Sequence, residues 1–497
     1  MIAELLSVLS ILLGGCLLLR AGGIRGWGLI PLGFIAGTAA FVTIGLLQVV
    51  TVLPTTPVLT LVLVVVLPAM WWLYRHVQGH DVFVAPGQAV HTVLTVVLLV
   101  IVLRGANLVS WHVDSFRYVM TGALLADGNY RELVSENLLT KRLLSVPILH
   151  TPATLADEYY LRSLVPLLAL AIMGALAWLY WNGVRDRVGP VTLIGIGALG
   201  VALLVTNNRF VFHAFYINGH LFFAALLLAI VGCAWLLATN RTLPEPGLLT
   251  LLLVSIPALV VTRPEASIVA GVALLPFVVS ARIAVAHRIA ALAVLGGSVA
   301  LWHGLIVVIQ LTGGSSLPFS AVGGLTLGVV ILLLIPVMLW RTLPRFGGLI
   351  LVTAEMLLWL ALIALAVRDP ANLRTSLRAT AENVLLGAGS WGLSLVALAV
   401  LGAGVFVLLK AQEQIFLRYP LTTFVPLAFL FAYLRDSPYR VGDGDSLNRM
   451  LIQVVPLATL YVIVAMASGV WRVPRIRRQA RKVREAEAAT ERMSAAG

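Results

Sequence analysis

Charge is scarce in this 497-residue chain, where 11 % of residues are Asp, Glu, Lys or Arg, against about 25 % in ordinary globular domains. With 60 % hydrophobic residues and a mean hydropathy of +1.01, that scarcity excludes a soluble enzyme. Cysteine is nearly missing too. Cys16 and Cys233 both fall inside apolar runs, so neither a disulfide framework nor a Cys-rich metal site can be built from them. The first apolar run has only Glu4 near its start and lacks both a basic leader and an Ala-x-Ala cleavage site. It therefore reads as a retained helix.

What is present in abundance is apolar sequence long enough to cross a bilayer, about 20 residues at a time. The expected fold is all-α and polytopic, with about 13 to 15 transmembrane helices and an outer loop carrying juxtamembrane amphipathic helices. The spans are expected near 2–19, 28–50, 57–74, 90–103, 163–182, 190–206, 217–238, 246–262, 266–281, 289–312, 321–340, 348–367, 391–410, 420–434 and 450–470. The runs at 90–103, 266–281 and 420–434 are short enough to be re-entrant or steeply buried instead. Four regions follow: amino-terminal helices over 1–103, an outer loop over 104–162, a helix bundle over 163–470 and a basic tail over 471–497. The Arg-rich tail WRVPRIRRQARKVRE should stay on the cytoplasmic side, which puts the amino terminus outside and nearly all of the formal +13 charge inside. Anionic inner-leaflet lipid accounts for such a tail without nucleic acid.

The outer face carries the chemistry. In SFRYVMTGALLADG, residues Phe116, Val119, Met120, Ala123 and Leu124 recur at helical spacing, predicting a helix lying on the membrane surface. After the Asp127-Gly128-Asn129 turn, Leu133, Val134, Leu138 and Leu144 predict a second surface helix, closed by Pro147. Asp114 stands just before the first of these helices. Such an aspartate is a favoured N-cap, and it is equally a carboxylate able to act as general base at the membrane boundary. The two roles are compatible.

Other polar groups share that face. VTRPEAS sets Arg263 and Glu265 between two apolar runs, either as a solvated hairpin or as a phosphate grip in which Arg holds the anion and Glu orients it. NNRFVFHAFYINGH gathers Arg209, His213, Tyr216, Asn218 and His220, an aromatic-rich cluster that an interfacial belt also explains. In RDSPYRVGDGDSLNRMLIQVVPL, Asp443 and Asp445 form an Asp-x-Asp pair, weak grounds for a divalent cation, and Arg449 is the better anion ligand. Glu355 lies inside an apolar run, as a proton-relay group or a neutral, hydrogen-bonded structural one.

These pieces resemble the GT-C superfamily of membrane glycosyltransferases, which use sugars linked to polyprenyl phosphate. The resemblance rests on the outer loop with Asp114 and Tyr118 leading into surface helices, on VTRPEAS, on SLNRMLIQVVPL before the last span, and on the basic tail. It implies that Asp114 deprotonates an acceptor hydroxyl and that Arg263 and Arg449 hold the lipid phosphate. Tyr118, Glu265, Arg209, His213, Tyr216 and Asn218 complete the expected substrate site. Two features differ from many relatives: Ser115 follows Asp114 in place of a second acid, and three additional spans precede the loop. The implied partners are a polyprenyl-phosphate-linked sugar donor, a glycan, glycolipid or protein acceptor, and membrane lipid. No cofactor, metal or nucleic acid is implied. No Gly-rich phosphate cradle for a nucleotide sugar is found. The implied setting is the cytoplasmic membrane with the site on its outer, periplasmic face.

The main rival is a transporter or flippase for a lipid-linked or small polar solute, to which Glu355, Gln310 and Gly-rich spans lend support. A polysaccharide ligase or polymerase would share the same outer site, and a structural membrane subunit is a further alternative.

Overall fold

A computed structural model describes residues 2–51, 56–78, 109, 113–129, 144–240, 242–312, 319–340, 343–410 and 414–471. The chain is helical apart from one two-residue strand pair. Among the described residues, nine helices are long and apolar enough to cross a membrane, or eleven when two bent pairs each count as one span. Three shorter apolar helices accompany them. The expected span at 90–103 lies outside the described residues.

Long helices form where apolar runs let every backbone group bond within its own segment, the only economical arrangement in hydrocarbon. Helices α1 (Ile2–Ala21), α2 (Leu29–Val50) and α3 (Pro57–Val77) make an amino-terminal group. There α1 and α2 touch backbone to backbone, because a Cβ at Gly15 would overlap the Gly33 carbonyl and one at Gly37 would overlap the Ile11 carbonyl. Small residues commonly permit such close approach in membranes. Then come α4 (Val113–Ala126), the short α5 (Ser145–His150), α6 (Leu164–Val184), α7 (Pro190–Val205), α8 (Asn208–Ala214) and α9 (Gly219–Thr239). Helix α9 is the core of the molecule, 94 % buried along its apolar window. It is wrapped by α2, α6, α10 (Glu245–Val260), α11 (Ala266–Val279), α17 (Ile415–Leu434) and α19 (Val455–Ser468).

The periphery is the opposite case. Between α11 and α17 the chain forms α12 (Val285–Thr312), α13 (Phe319–Leu333), α14 (Gly347–Arg368), α15 (Pro370–Leu385) and α16 (Leu393–Leu408). The apolar window of α14 is only 11 % buried, so Val352, Met356, Leu360 and Ile363 face outward. A side so apolar and so little covered suits lipid as its solvent. The short α18 (Ser446–Met450) precedes α19, and strand β1 (Leu409–Lys410) pairs antiparallel with β2 (Val470–Trp471).

Successive helices run in alternating directions, so their connections divide between two faces. The upper face holds 206–218, 261–265, 369–392 and 435–454, together with α4 and α5. The lower face holds 185–189, 280–284, β1 and β2.

Three expectations are corrected. Helix α4 forms where the surface helix was expected, but its buried face is Ser115, Tyr118, Val119, Gly122 and Leu125, while Phe116 is 51 % exposed. Sequence periodicity locates apolar surface without saying whether protein or lipid covers it, and α4 is apolar enough on two sides to use both. Pro147 lies within the first turn of α5 rather than closing a helix, a position where its missing N–H costs little. The run at 420–434 belongs to a 20-residue helix beginning at Ile415, which incorporates Arg418 and so hides its length from an apolar count. Of the second surface helix, Leu133, Val134 and Leu138 lie outside the described residues.

Candidate functional site

The upper face is assembled from segments far apart in sequence. Asn207 caps α8 by accepting from the Phe210 N–H at 3.0 Å, and Asn218 caps α9 by accepting from the His220 N–H at 2.9 Å. The 207–220 segment therefore doubles back as a helix, a turn and a second helix, with α8 bent 69° from α7. Because the Asn218 Oδ1 serves as the cap, its amide Nδ2 faces the Nδ1 of His213 at 2.9 Å. His213 Nδ1 then accepts, and the neutral ring carries its proton on Nε2. That Nε2 is buried with no hydrogen-bond partner among the described residues. The His213 ring lies 5.7 Å from Tyr216 and 5.7 Å from His220.

The VTRPEAS turn brings the second element. Arg263 Nε donates to Glu265 Oε1 at 2.6 Å, Gln453 Nε2 donates to the same oxygen at 3.1 Å, and an Arg435 terminal nitrogen reaches Oε2 at 3.4 Å. Glu265 is 3 % exposed. Burial alone would raise its pKa, but Arg263 and Arg435 outweigh that cost and hold it below the ordinary carboxylate value. With both oxygens engaged, this carboxylate anchors cations and a glutamine. Gln453 also sits 3.3 Å from His220 Nδ1, and its own Oε1 is buried with no partner among the described residues.

The third element comes from the turn at 386–392 and the 435–454 segment. Arg209 donates its Nε to the Gly389 carbonyl at 2.6 Å and pairs with Asp443, which also accepts from Ser390 Oγ at 2.8 Å. Ser390 adopts a left-handed backbone, φ 56°, a conformation that costs a non-glycine residue energy and persists where its surroundings enforce it. Asn448 Nδ2 donates to the same Gly389 carbonyl at 3.1 Å, and Asn448 Oδ1 accepts from the Trp391 ring N–H. Asp445 is a helix cap, accepting from the Asn448 N–H at 2.9 Å and the Arg440 N–H at 2.7 Å. The two acids of the Asp-x-Asp pair thus serve different partners. Among the described residues no group of three His, Cys, Asp or Glu could hold a metal.

Four guanidinium groups converge here. Arg209, Arg263 and Arg449 act electrostatically on His213, and Arg263, Arg435 and Arg449 on His220. Their ion-pair partners among the described residues are Glu265 and Asp443 alone, so the cup is electropositive.

Of the residues expected from sequence, Arg209, His213, Tyr216, Asn218, Arg263, Glu265 and Arg449 come together. Tyr118 is 3 % exposed and buried in α4. Asp114 begins that helix, and the placement of its side chain lies outside the described residues. The helix is docked by Ser115 Oγ, which donates to the Ile217 carbonyl at 3.1 Å. Two residues further on, a Cβ at Gly219 would meet Arg263 Cγ at 3.6 Å. Helix α5 is tied to the same turn, since Ser145 donates its N–H to the Val261 carbonyl at 3.0 Å and its Oγ to the Ala258 carbonyl at 2.6 Å.

Arg435, Gln453, Asn448 and the Gly389 carbonyl were not singled out from sequence. Gln453 did carry a signal, being a lone amide in the apolar run MLIQVVPL. Arg435, at the end of a span, looks like any interfacial cation until its partner is seen. No protein-family model, characterised protein or solved structure matches the chain.

Proposed function

We propose that the chain is a membrane glycosyltransferase of the GT-C kind, moving a sugar from a polyprenyl-phosphate donor to a hydroxyl acceptor at the outer face of the cytoplasmic membrane. The observation that carries the reading is the convergence of Arg263, Arg435 and Arg449 on a buried, polar pocket floor, beside the docked start of α4. A lipid-linked phosphate lies at headgroup depth, where water is limited and fixed guanidinium groups interact strongly with charge on a leaving phosphate. In this reading Arg263, Arg435 and Arg449 stabilise the departing phosphate, while His213 Nε2–H and the Gln453 carbonyl oxygen supply an unspent donor and acceptor for the ligand. Arg209 and Glu265 act as positioning residues, and Asp114 takes the proton from the acceptor hydroxyl. Inversion at the anomeric carbon then needs only an aligned hydroxyl, that base and the anion grip. The acceptor is a glycan, glycolipid or protein, and the upper face is the outer one. The finer count of 13 to 15 spans follows if the three shorter apolar helices and the 90–103 run also cross.

Asp114→Asn is the direct test. Purified variant protein should bind the donor as before and lose transfer from a polyprenyl-phosphate sugar by about 10²–10⁴-fold, the usual contribution of a general base. Transfer at the normal rate would remove Asp114 from the chemistry.

A transporter or flippase is the second reading. It is favoured by a cavity of about 690 Å³ at the lower face, lined by Gly347, Gly348 and Leu351 of α14, the helix that carries Glu355 one turn further along. Substrate movement across proteoliposomes without sugar transfer would decide for it.

A further inference from the structure

The lower-face cavity is built from the ends of α11, α14, α16, α17 and α19, with walls that include Val279, Gly348, Leu351, Phe406 and Leu409. Into this apolar surface projects one cation, Arg418, whose guanidinium lies 5.8 Å from the Phe406 ring centroid. Among the described residues no carboxylate pairs with it. An arginine in apolar surroundings retains a need for an anion and several N–H acceptors, because burying a charge without a partner is costly.

The surroundings indicate which anion. Leu409, in the cavity wall, belongs to β1, and β1 pairs with β2 at the carboxyl end of the bundle. A second tie holds that corner, where Gln414 Nε2 donates to Ser468 Oγ at 2.9 Å. The basic sequence RVPRIRRQARKVR begins at Arg472, directly after β2. The polybasic segment therefore leaves the bundle beside the groove that holds Arg418. A polybasic segment next to a membrane favours an anionic leaflet. The groove itself offers a single cation above apolar walls, the pattern of one phosphate joined to hydrocarbon.

We propose that this groove binds one anionic phospholipid of the surrounding leaflet, with Arg418 holding the phosphate and the surfaces of Val279, Leu351 and Phe406 holding an acyl chain. This site is at the opposite end of the bundle from the arginine cup. It stands whether or not the chain transfers sugar.

The test uses the full-length protein, reconstituted in phosphatidylcholine nanodiscs containing phosphatidylglycerol, then released and weighed by native mass spectrometry. Wild-type protein should retain phosphatidylglycerol in preference to phosphatidylcholine. Arg418→Gln should lower that retention about tenfold, the scale of one lost charge-assisted contact, whereas Arg418→Lys keeps most of it. Gly348→Leu fills the groove from a position where a Cβ meets nothing within 4 Å, so it should fold normally and also lose the lipid. Equal retention by wild type, Arg418→Gln and Gly348→Leu would overturn the proposal. So would loss that follows replacement of Arg475, Arg477 and Arg478 by Gln but not the Arg418 change, because the tail alone would then be the binder. Displacement of the lipid by inorganic phosphate, with Gly348→Leu still binding, would show a headgroup-only anion site and overturn the acyl-chain assignment.

Discussion

Ser115 and Ile217, 102 residues apart, are joined by a buried hydrogen bond of 3.1 Å from the Ser115 hydroxyl to the Ile217 carbonyl. This bond fixes the first turn of α4 against the strand of chain between His213 and Gly219. Replacing Ser115 by Ala leaves a buried carbonyl unpaired and should cost about 1–3 kcal/mol. Thermal unfolding in detergent measures that loss. If Asp114 is the base, sugar transfer should fall further than the stability change explains, because the base is no longer held in register.

Glu265 joins two arginines and Gln453 at a buried point. Glu265→Gln should destabilise by about 3–5 kcal/mol, since it leaves buried cationic charge without its partner. Most of the coupling should be with Arg263, 14 % exposed, and little with Arg435, whose side chain is 34 % exposed and screened by solvent. Double-mutant cycles with Arg263→Gln and Arg435→Gln separate the two.

The same carboxylate sets an acid limit. Its pKa in the folded chain lies below the ordinary value of 4.5. Its contribution to stability is complete above 4.5 and is lost as pH falls from there through the lower folded value. Stability followed from neutral pH downward should therefore decline below that point in the wild type, and the decline should be shallower in Glu265→Gln.

A short prenyl phosphate should stabilise the protein through the arginine cup. At a concentration one hundred times its Kd the gain is about 2.7 kcal/mol by mass action. Arg263→Gln and Arg435→Gln should each abolish most of the gain, while the uncharged prenyl alcohol should give little with any variant. Equal stabilisation of wild type and both variants would place the anion elsewhere.

The arginine cup was partly legible in the sequence because polar residues at the ends of apolar runs are conspicuous. Arg209, His213, Asn218, Arg263 and Glu265 could be picked out in this way, and the structure brings them together. Arg435 and Gln453 could not be ranked among the other end-of-span residues, since their importance lies in reaching Glu265 from a segment more than 160 residues away. The facing of α4 was misread for a related reason. A helix with apolar residues on two sides has a stripe wherever one looks, and only its neighbours decide that Tyr118 is buried and Phe116 is not.

Composition alone fixed the solvent of this protein: a chain with so little charge must place its helices in hydrocarbon, and run length then sets where they start and stop within a few residues. The pairing of particular charges was settled only by tertiary packing. Hydrophobic patterning is a local property repeated along the chain, whereas an ion pair between the 261–265 turn and the 435–454 segment depends on how helices stack around α9. No spacing in the sequence encodes that distance.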